Sequence, residues 1–173
     1  MIMERGHAIL LPVSPWFIAG SLATSLLVSM SLGLTQALWL PDLLAVCIFF
    51  WGIHQPRRVS MGVAFFLGLL VDVHQTSLMG QHALSYVILS YCAILMHRRL
   101  LWFPIKEQML QMLPFLILAH ATSWGISLST GAEFPGWLIL LRPILEMLLW
   151  PVANFVLLAP QRRAHDPDAN RPI

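Results

Sequence analysis

The sequence predicts an all-α integral membrane protein of about six transmembrane helices. Of its 173 residues, 58% are hydrophobic and 10% are charged, and the mean hydropathy is +0.74. Soluble domains carry about 25% charged residues. A helix needs roughly 20 apolar residues to cross a bilayer, so six spans leave no room for a soluble catalytic domain. We expect a single transmembrane domain over residues 1–160 and a polar, disordered cytoplasmic tail over 161–173.

Six apolar segments follow one another along the chain. The first follows Arg5 without a convincing small-residue cleavage site, so we interpret it as a retained helix rather than a signal peptide. Several segments are short, and broken or re-entrant helices are tolerated where protein or water covers their backbone. The segments cover approximately residues 13–34, 38–53, 59–79, 83–97, 109–128 and 137–159.

The basic residues predict the orientation of these segments. Nine of the ten lysines and arginines fall in the N-terminal tail, the second and fourth connections and the C-terminal tail. The connections GLTQA and STGAEFPG have none. Because basic residues concentrate on the cytoplasmic side of a membrane protein, we expect both termini in the cytoplasm.

The fourth connection, RRLLWFPIKEQML, mixes aromatic residues with flanking cations. This pattern is typical of a helix lying in the inner membrane interface. Pro104 is expected to bend that helix. The cations here and at Arg57–Arg58 are interpreted as topology determinants and contacts to anionic lipid.

A stripe of small residues ending in an acid marks the third segment. Ser60, Ala64, Gly68 and Asp72 stand four apart, so they share one face of a helix. Small residues let a neighbouring helix approach closely in lipid, and a carboxylate there is costly unless it faces protein or water. The stripe predicts a close helix contact. The contact within the bundle is favoured over a contact with a partner, and both remain open.

Four charges fall within or at the edge of the spans: Asp42, Asp72, Arg142 and Glu146. The predicted topology places the first three toward the outer leaflet. Arg142 and Glu146 are one helical turn apart and can pair. Because three acids face one base, we hypothesise that Arg142 neutralises Asp42 or Asp72 across the bundle. The alternative is that these charges reach interfacial water.

Signals for metal binding or catalysis are weak. Asp72, His74 and His82 lack the spacing of a metal-binding helix, and we predict neither a metal site nor a cofactor. The chain contains no phosphate-binding loop and no nucleophile motif. His120 is interpreted as a hydrogen-bonded core histidine, and no nucleic-acid partner is expected.

The order of short motifs over residues 40–95 resembles the family of the rod shape-determining protein MreD, in its proteobacterial form. A proline and an acid open the second span, and a proline-containing turn ends it. A Gly-Leu-Leu-x-Asp element then precedes a loop with glycine. These positions are Pro41, Asp42, Pro56, Gly68, Leu69, Leu70, Asp72 and Gly80.

The resemblance implies a non-enzymatic scaffold in the inner membrane of rod-shaped bacteria. Members associate with the bitopic protein MreC and, through it, with a class B penicillin-binding transpeptidase; RodA and MreB belong to the same assembly. The family has no established catalytic residues. Its fold is similar to the S components of energy-coupling-factor transporters. The candidate partner-binding or structural residues are Pro41, Asp42, Gly68, Asp72, Gly80, Arg142 and Glu146.

Two other functions remain open. A small-molecule-binding transporter subunit of the S-component type would place a ligand near Asp42, Asp72 and Arg142, in an apolar cavity with a few convergent polar groups. An intramembrane hydrolase or transferase is a third hypothesis, which no arrangement of serine and histidine in the sequence supports.

Overall fold

The computed structural model of the protein describes residues 13–33, 40–134 and 136–161. These residues form six α-helices and no strand, so the all-α prediction is confirmed for this part of the chain. The predicted tail lies outside the described residues, apart from Gln161. The helices are α1 (Pro15–Gly33), α2 (Leu43–His54), α3 (Met61–His74), α4 (Gln81–Leu100), α5 (Ile105–Ser129) and α6 (Leu141–Leu158). Short 3-10 helices flank α6 at Trp137–Leu140 and Ala159–Gln161.

The helices differ in their capacity to cross a membrane. Within the described ranges, three stretches are long and apolar enough: α1, α5 and Trp137–Gln161, which contains α6. By contrast, α2 has 12 residues and α3 has 14. At about 1.5 Å per residue, neither reaches the roughly 30 Å of a hydrocarbon core. These two short helices correspond to the second and third predicted segments.

The centre of the bundle is α2. Nine of its 12 residues are buried, which is expected of a helix that is hydrophobic on every side. It packs against α1, α4 and α6, while α3 packs mainly on α4 and α5 lies between α4 and α6. The rings of Phe49 and Phe50 lie 5.7 and 5.8 Å from that of Trp150 in α6. The Trp51 indole donates a hydrogen bond of 2.9 Å to Ser21 in α1.

The connection between α4 and α5 corrects the sequence prediction. No separate interfacial helix forms in RRLLWFPIKEQML: α4 continues to Leu100, residues 101–104 make a turn, and α5 begins at Ile105. Pro104 is the N-cap of α5 rather than a bend within a helix. The physical reason is that proline disfavours helical conformation in the residue before it, while its own fixed φ suits a helix start.

The two ends of the bundle differ in composition. The end that contains the N-termini of α2, α4 and α6, where the buried acids lie, is called the polar end. The basic end contains the turns α2–α3 and α4–α5, with Arg57, Arg58, Arg98, Arg99 and Lys106.

Candidate functional site

Asp72 lies near the C-terminus of α3 and closes the turn into α4. It is 1% exposed. Its carboxylate accepts hydrogen bonds from the backbone N–H groups of Gly80 (2.9 Å), His82 (2.8 Å) and Ala83 (3.3 Å), and from the Ser77 hydroxyl (2.9 Å). The Nδ1 atom of His82 lies 2.8 Å from Oδ1. Because the first N–H groups of a helix lack intrahelical partners and attract negative charge, Asp72 caps α4 from the preceding helix.

Two glycines allow this turn to form. A Cβ atom on Gly68 would stand 2.3 Å from the Cα of Ala83, so only glycine permits this approach of α3 to α4. Gly80, the N-cap of α4, has a φ of +102°, which L side chains rarely adopt. Ala64 and Gly68 are buried, whereas Ser60 is exposed. Most of the small stripe therefore lies inside the protein, as the favoured interpretation predicted.

Asp42 joins three helices. It is 4% exposed and caps its own helix, with Oδ1 accepting from the N–H groups of Leu44 (3.0 Å) and Ala45 (3.3 Å). The Ser29 hydroxyl of α1 donates to the same oxygen over 3.1 Å. The Tyr86 hydroxyl of α4 donates to Oδ2.

Glu146 connects this arrangement to the last two helices. It is fully buried in α6, and its Oε1 accepts the backbone N–H of Asp42 over 2.9 Å. The Nε2 atom of His120 in α5 lies 2.9 and 2.8 Å from the two carboxylate oxygens. The indole of Trp124 stacks on the imidazole with centroids 5.7 Å apart. His120 is thus the hydrogen-bonded core histidine that the sequence indicates.

Arg142 forms the predicted pair with Glu146, and not the hypothesised ion pair with Asp42 or Asp72 across the bundle. Its Nε lies 3.7 Å from Glu146, one turn along α6. Among the described residues, it forms an ion pair with neither Asp42 nor Asp72. Those two carboxylates are already occupied by hydroxyl and amide donors. The interfacial-water alternative also fails for the three acids, because all are buried.

The acids form a polar network of two hydrogen-bonded clusters, one at Asp72 and one at Asp42 and Glu146, which sequence reasoning only partly found. His82, which contacts Asp72, is also close to Tyr86, with ring centroids 6.2 Å apart. Tyr86 donates a hydrogen bond to Asp42, whose backbone N–H donates to Glu146. Ser29, Tyr86 and the role of His82 were missed. These residues could have been found by searching the other predicted spans for polar residues at the same membrane depth as an acid.

The other predicted site residues are placed beside this network. Pro41 precedes the N-cap of α2 and is half-buried. Among the described residues, no group of three or more His, Cys, Asp or Glu is placed to hold a metal ion. Asp42, Asp72 and Glu146 have donors from within the protein, so the network is suited to holding helices in register.

A separate apolar groove runs between α1 and α6, with α2 as its floor. Its volume is about 540 Å³. The hydroxyls of Ser21, Thr24 and Ser25 donate to carbonyls of their own helix over 2.8, 2.8 and 3.0 Å. The groove therefore offers mainly hydrocarbon, without a free hydroxyl donor from these residues. Its lining includes Phe17, Gly20, Val46, Cys47, Val152 and Ala153.

These features define a helical membrane protein whose buried acids bond to groups on neighbouring helices. The chain belongs to the family of the rod shape-determining protein MreD, whose sequence model matches residues 8–158. The rod shape-determining protein MreD of Haemophilus influenzae is 29% identical over 115 residues, covering 64% of this chain and 68% of the relative. No solved structure gives a significant match. The family resemblance seen in the sequence motifs is thus confirmed.

Proposed function

We propose that the protein is a non-enzymatic scaffold of the rod-shape machinery, which binds MreC and helps to position peptidoglycan synthases. Membership of the MreD family supports a role in cell shape. Through MreC, the scaffold would act on a class B penicillin-binding transpeptidase and on RodA, with MreB in the same assembly. The polar network supports a structural rather than a chemical role, since its acids are occupied by internal partners.

The proposed orientation places the chain in the bacterial inner membrane with six spans and both termini in the cytoplasm. The basic end then faces the cytoplasm, in agreement with the positive-inside rule. The polar end faces the periplasm. The short helix α2 fits this arrangement because it packs against the longer helices α1, α4 and α6. The short helix α3 continues into the turn that Asp72 closes. An overall resemblance to the S components of energy-coupling-factor transporters belongs to the same proposal.

The surface we assign to MreC is the apolar groove between α1 and α6. A bitopic partner crosses the bilayer once, so its membrane contact is a single apolar helix. Helices in lipid associate through close packing at small residues, and Gly20 and Ala153 supply such positions on the two walls. The stripe at Ala64 and Gly68 is not accessible to a partner, because it is buried against α4. The groove is the single observation that carries this assignment.

The transporter-subunit alternative gains no support from these contacts. Its ligand would need free polar groups near Asp42 and Asp72, yet both carboxylates are buried and bonded within the protein. The groove has the volume for a ligand, but its lining provides hydrocarbon rather than the convergent polar groups of a specific site.

A matched pair of glycine substitutions tests the assignment. A Cβ atom on either Gly20 or Gly125 would have no neighbour within 4 Å, so Gly20→Leu fills the groove and Gly125→Leu adds the same bulk elsewhere. We expect Gly20→Leu to reduce the recovery of MreC with the tagged protein by about tenfold or more, the effect of losing about 1.4 kcal/mol. Gly125→Leu should retain it.

The two native cysteines provide an independent measurement. Cys47 lies in the groove, whereas Cys92 lies on α4, outside the lining. A cysteine scanned along the MreC helix should form a disulfide with Cys47 and not with Cys92. If wild-type protein recovers MreC but the cross-links form only at Cys92, the groove assignment is wrong. If wild-type protein recovers no MreC, the scaffold proposal itself is contradicted.

A further inference from the structure

The turn between α4 and α5 presents an apolar wedge at the basic end. Trp102 is 90% exposed, and its neighbours Leu101 and Ile105 are 45% and 44% exposed. Exposed tryptophan and leucine side chains side by side are unfavourable in water. They are favourable at the headgroup level of a bilayer, where indole rings concentrate. We call the exposed side chains of Leu101, Trp102 and Ile105 the wedge.

The wedge is held by a fixed turn. Leu100 is buried beneath it, and the N–H groups of Trp102 and Phe103 donate to carbonyls of α4 over 3.2 Å each. The Gln108 side chain donates to the Phe103 carbonyl over 2.9 Å and accepts from the Trp150 indole over 3.1 Å. Because these bonds attach the turn to α6, Trp102 is displayed by the fold rather than left on a loose loop.

Cations flank the wedge on both sides. Arg98 and Arg99 occupy the last turn of α4, and Lys106 occupies the first turn of α5. All three are exposed, and none forms an ion pair with another described residue. Glu107 is the acid in the same turn, so these four residues carry a net charge of +2. Unpaired cations around an interfacial aromatic side chain are complementary to lipid phosphates.

We propose that this turn is a binding site for anionic phospholipid of the cytoplasmic leaflet. The wedge inserts between headgroups, while Arg98, Arg99 and Lys106 hold the phosphate and the excess negative charge. The inference rests on the orientation given in the proposed function, but it is independent of MreC. The site would fix the depth of α4 and α5 in the bilayer and favour regions rich in anionic lipid.

The test uses the purified full-length protein in detergent, without MreC. Phosphatidylglycerol and phosphatidylcholine with identical acyl chains are titrated, and the apparent affinity is taken from the rise in melting temperature. We expect stabilisation by phosphatidylglycerol alone. Each cation near an anionic surface contributes about 1 kcal/mol, so Arg98→Gln should weaken the apparent affinity about fivefold. Trp102→Ala should weaken the response to the same lipid.

Arg57→Gln is the matched control, since Arg57 is an exposed cation on the other turn of the basic end. It should weaken the apparent affinity less than Arg98→Gln does, because Arg57 interacts with anionic lipid through general charge without the wedge beside it. Equal losses in Arg57→Gln and Arg98→Gln would reduce the effect to general charge and overturn the site, as would equal stabilisation by the two lipids. Labelling of Trp102→Cys from the periplasmic side of intact cells would contradict the orientation, while the detergent result would still report on lipid binding.

Discussion

The carboxylates of Asp72 and Glu146 are both buried at the polar end, yet they organise the protein on different scales. The hydrogen-bond partners of Asp72 lie 5 to 11 residues along the chain. Glu146 takes partners 26 and 104 residues away. Asp72 therefore closes one helical hairpin, whereas Glu146, together with Asp42, joins helices that are distant in sequence. We call Asp72 with its hydrogen-bond partners the local lock. We call Glu146 and Asp42 with theirs the tertiary lock.

The largest effect should come from the tertiary lock. Glu146→Ala leaves the Asp42 amide and His120 without their acceptor and Arg142 without its ion-pair partner. Removing one member of a buried charged arrangement costs about 3 to 5 kcal/mol. We expect a loss of unfolding free energy of that size in detergent. Hydrogen exchange should rise at the start of α2 and remain low at Gly80–Ala83.

Hydrogen exchange in Asp72→Ala tests whether the Asp72 turn opens independently of the contacts of Glu146. Exchange should rise at Gly80–Ala83, because those amides lose their cap, and should change little at Asp42–Ala45. If both substitutions expose both sets of amides equally, the two locks unfold as one cooperative unit and the local lock is not independent of the tertiary one.

The hairpin should be most sensitive at Gly68. Gly68→Leu forces the side chain into the Ala83 backbone, where even a Cβ atom has only 2.3 Å. Overfilling a packed core typically costs about 1 to 3 kcal/mol, and contact with backbone belongs at the upper end. Gly125→Leu, with open space around its Cβ position, should be close to neutral. Equal melting temperatures for the two variants would argue against the close approach of α3 and α4.

A smaller effect is expected from the hydroxyl that joins α4 to Asp42. Tyr86→Phe removes one donor to a buried carboxylate, which should cost about 2 kcal/mol. The chain has two tyrosines, and Tyr91 is 49% exposed, so Tyr91→Phe is the matched control and should be neutral. Chemical unfolding of both variants measures the difference. A neutral Tyr86→Phe would show that Ser29 and the backbone amides suffice for Asp42.

The smallest effect concerns Arg142, whose side chain is 22% exposed and 3.7 Å from Glu146. A double-mutant cycle of Arg142→Ala with Glu146→Gln should give a coupling of about 0.5 to 1 kcal/mol. A cycle with Asp72→Asn should be additive within about 0.5 kcal/mol. Rescue of Arg142→Ala by Asp72→Asn would restore the pairing across the bundle that the sequence suggested.

Much of the local lock could be predicted from the sequence. The four-residue spacing of Ala64, Gly68 and Asp72 places them on one face, and the cost of a carboxylate in lipid requires that face to be covered. The Gly-Leu-Leu-x-Asp element that ends at Asp72 and the loop glycine Gly80 are parts of one motif of the family. At Leu101–Pro104 the sequence predicts a helix where the structure has a turn, because a mixture of aromatic residues and cations fits an interfacial helix equally well.

By itself the sequence determined the all-α class, the approximate helix positions and the small face of α3. These features follow from composition and helical periodicity, which act over a few turns of one helix and against one solvent. Only the tertiary structure decided that Glu146 meets His120 and the Asp42 amide, and that α1 and α6 leave a groove over α2. Such contacts depend on the depth and rotation of each helix, and those are fixed only when all the helices pack together.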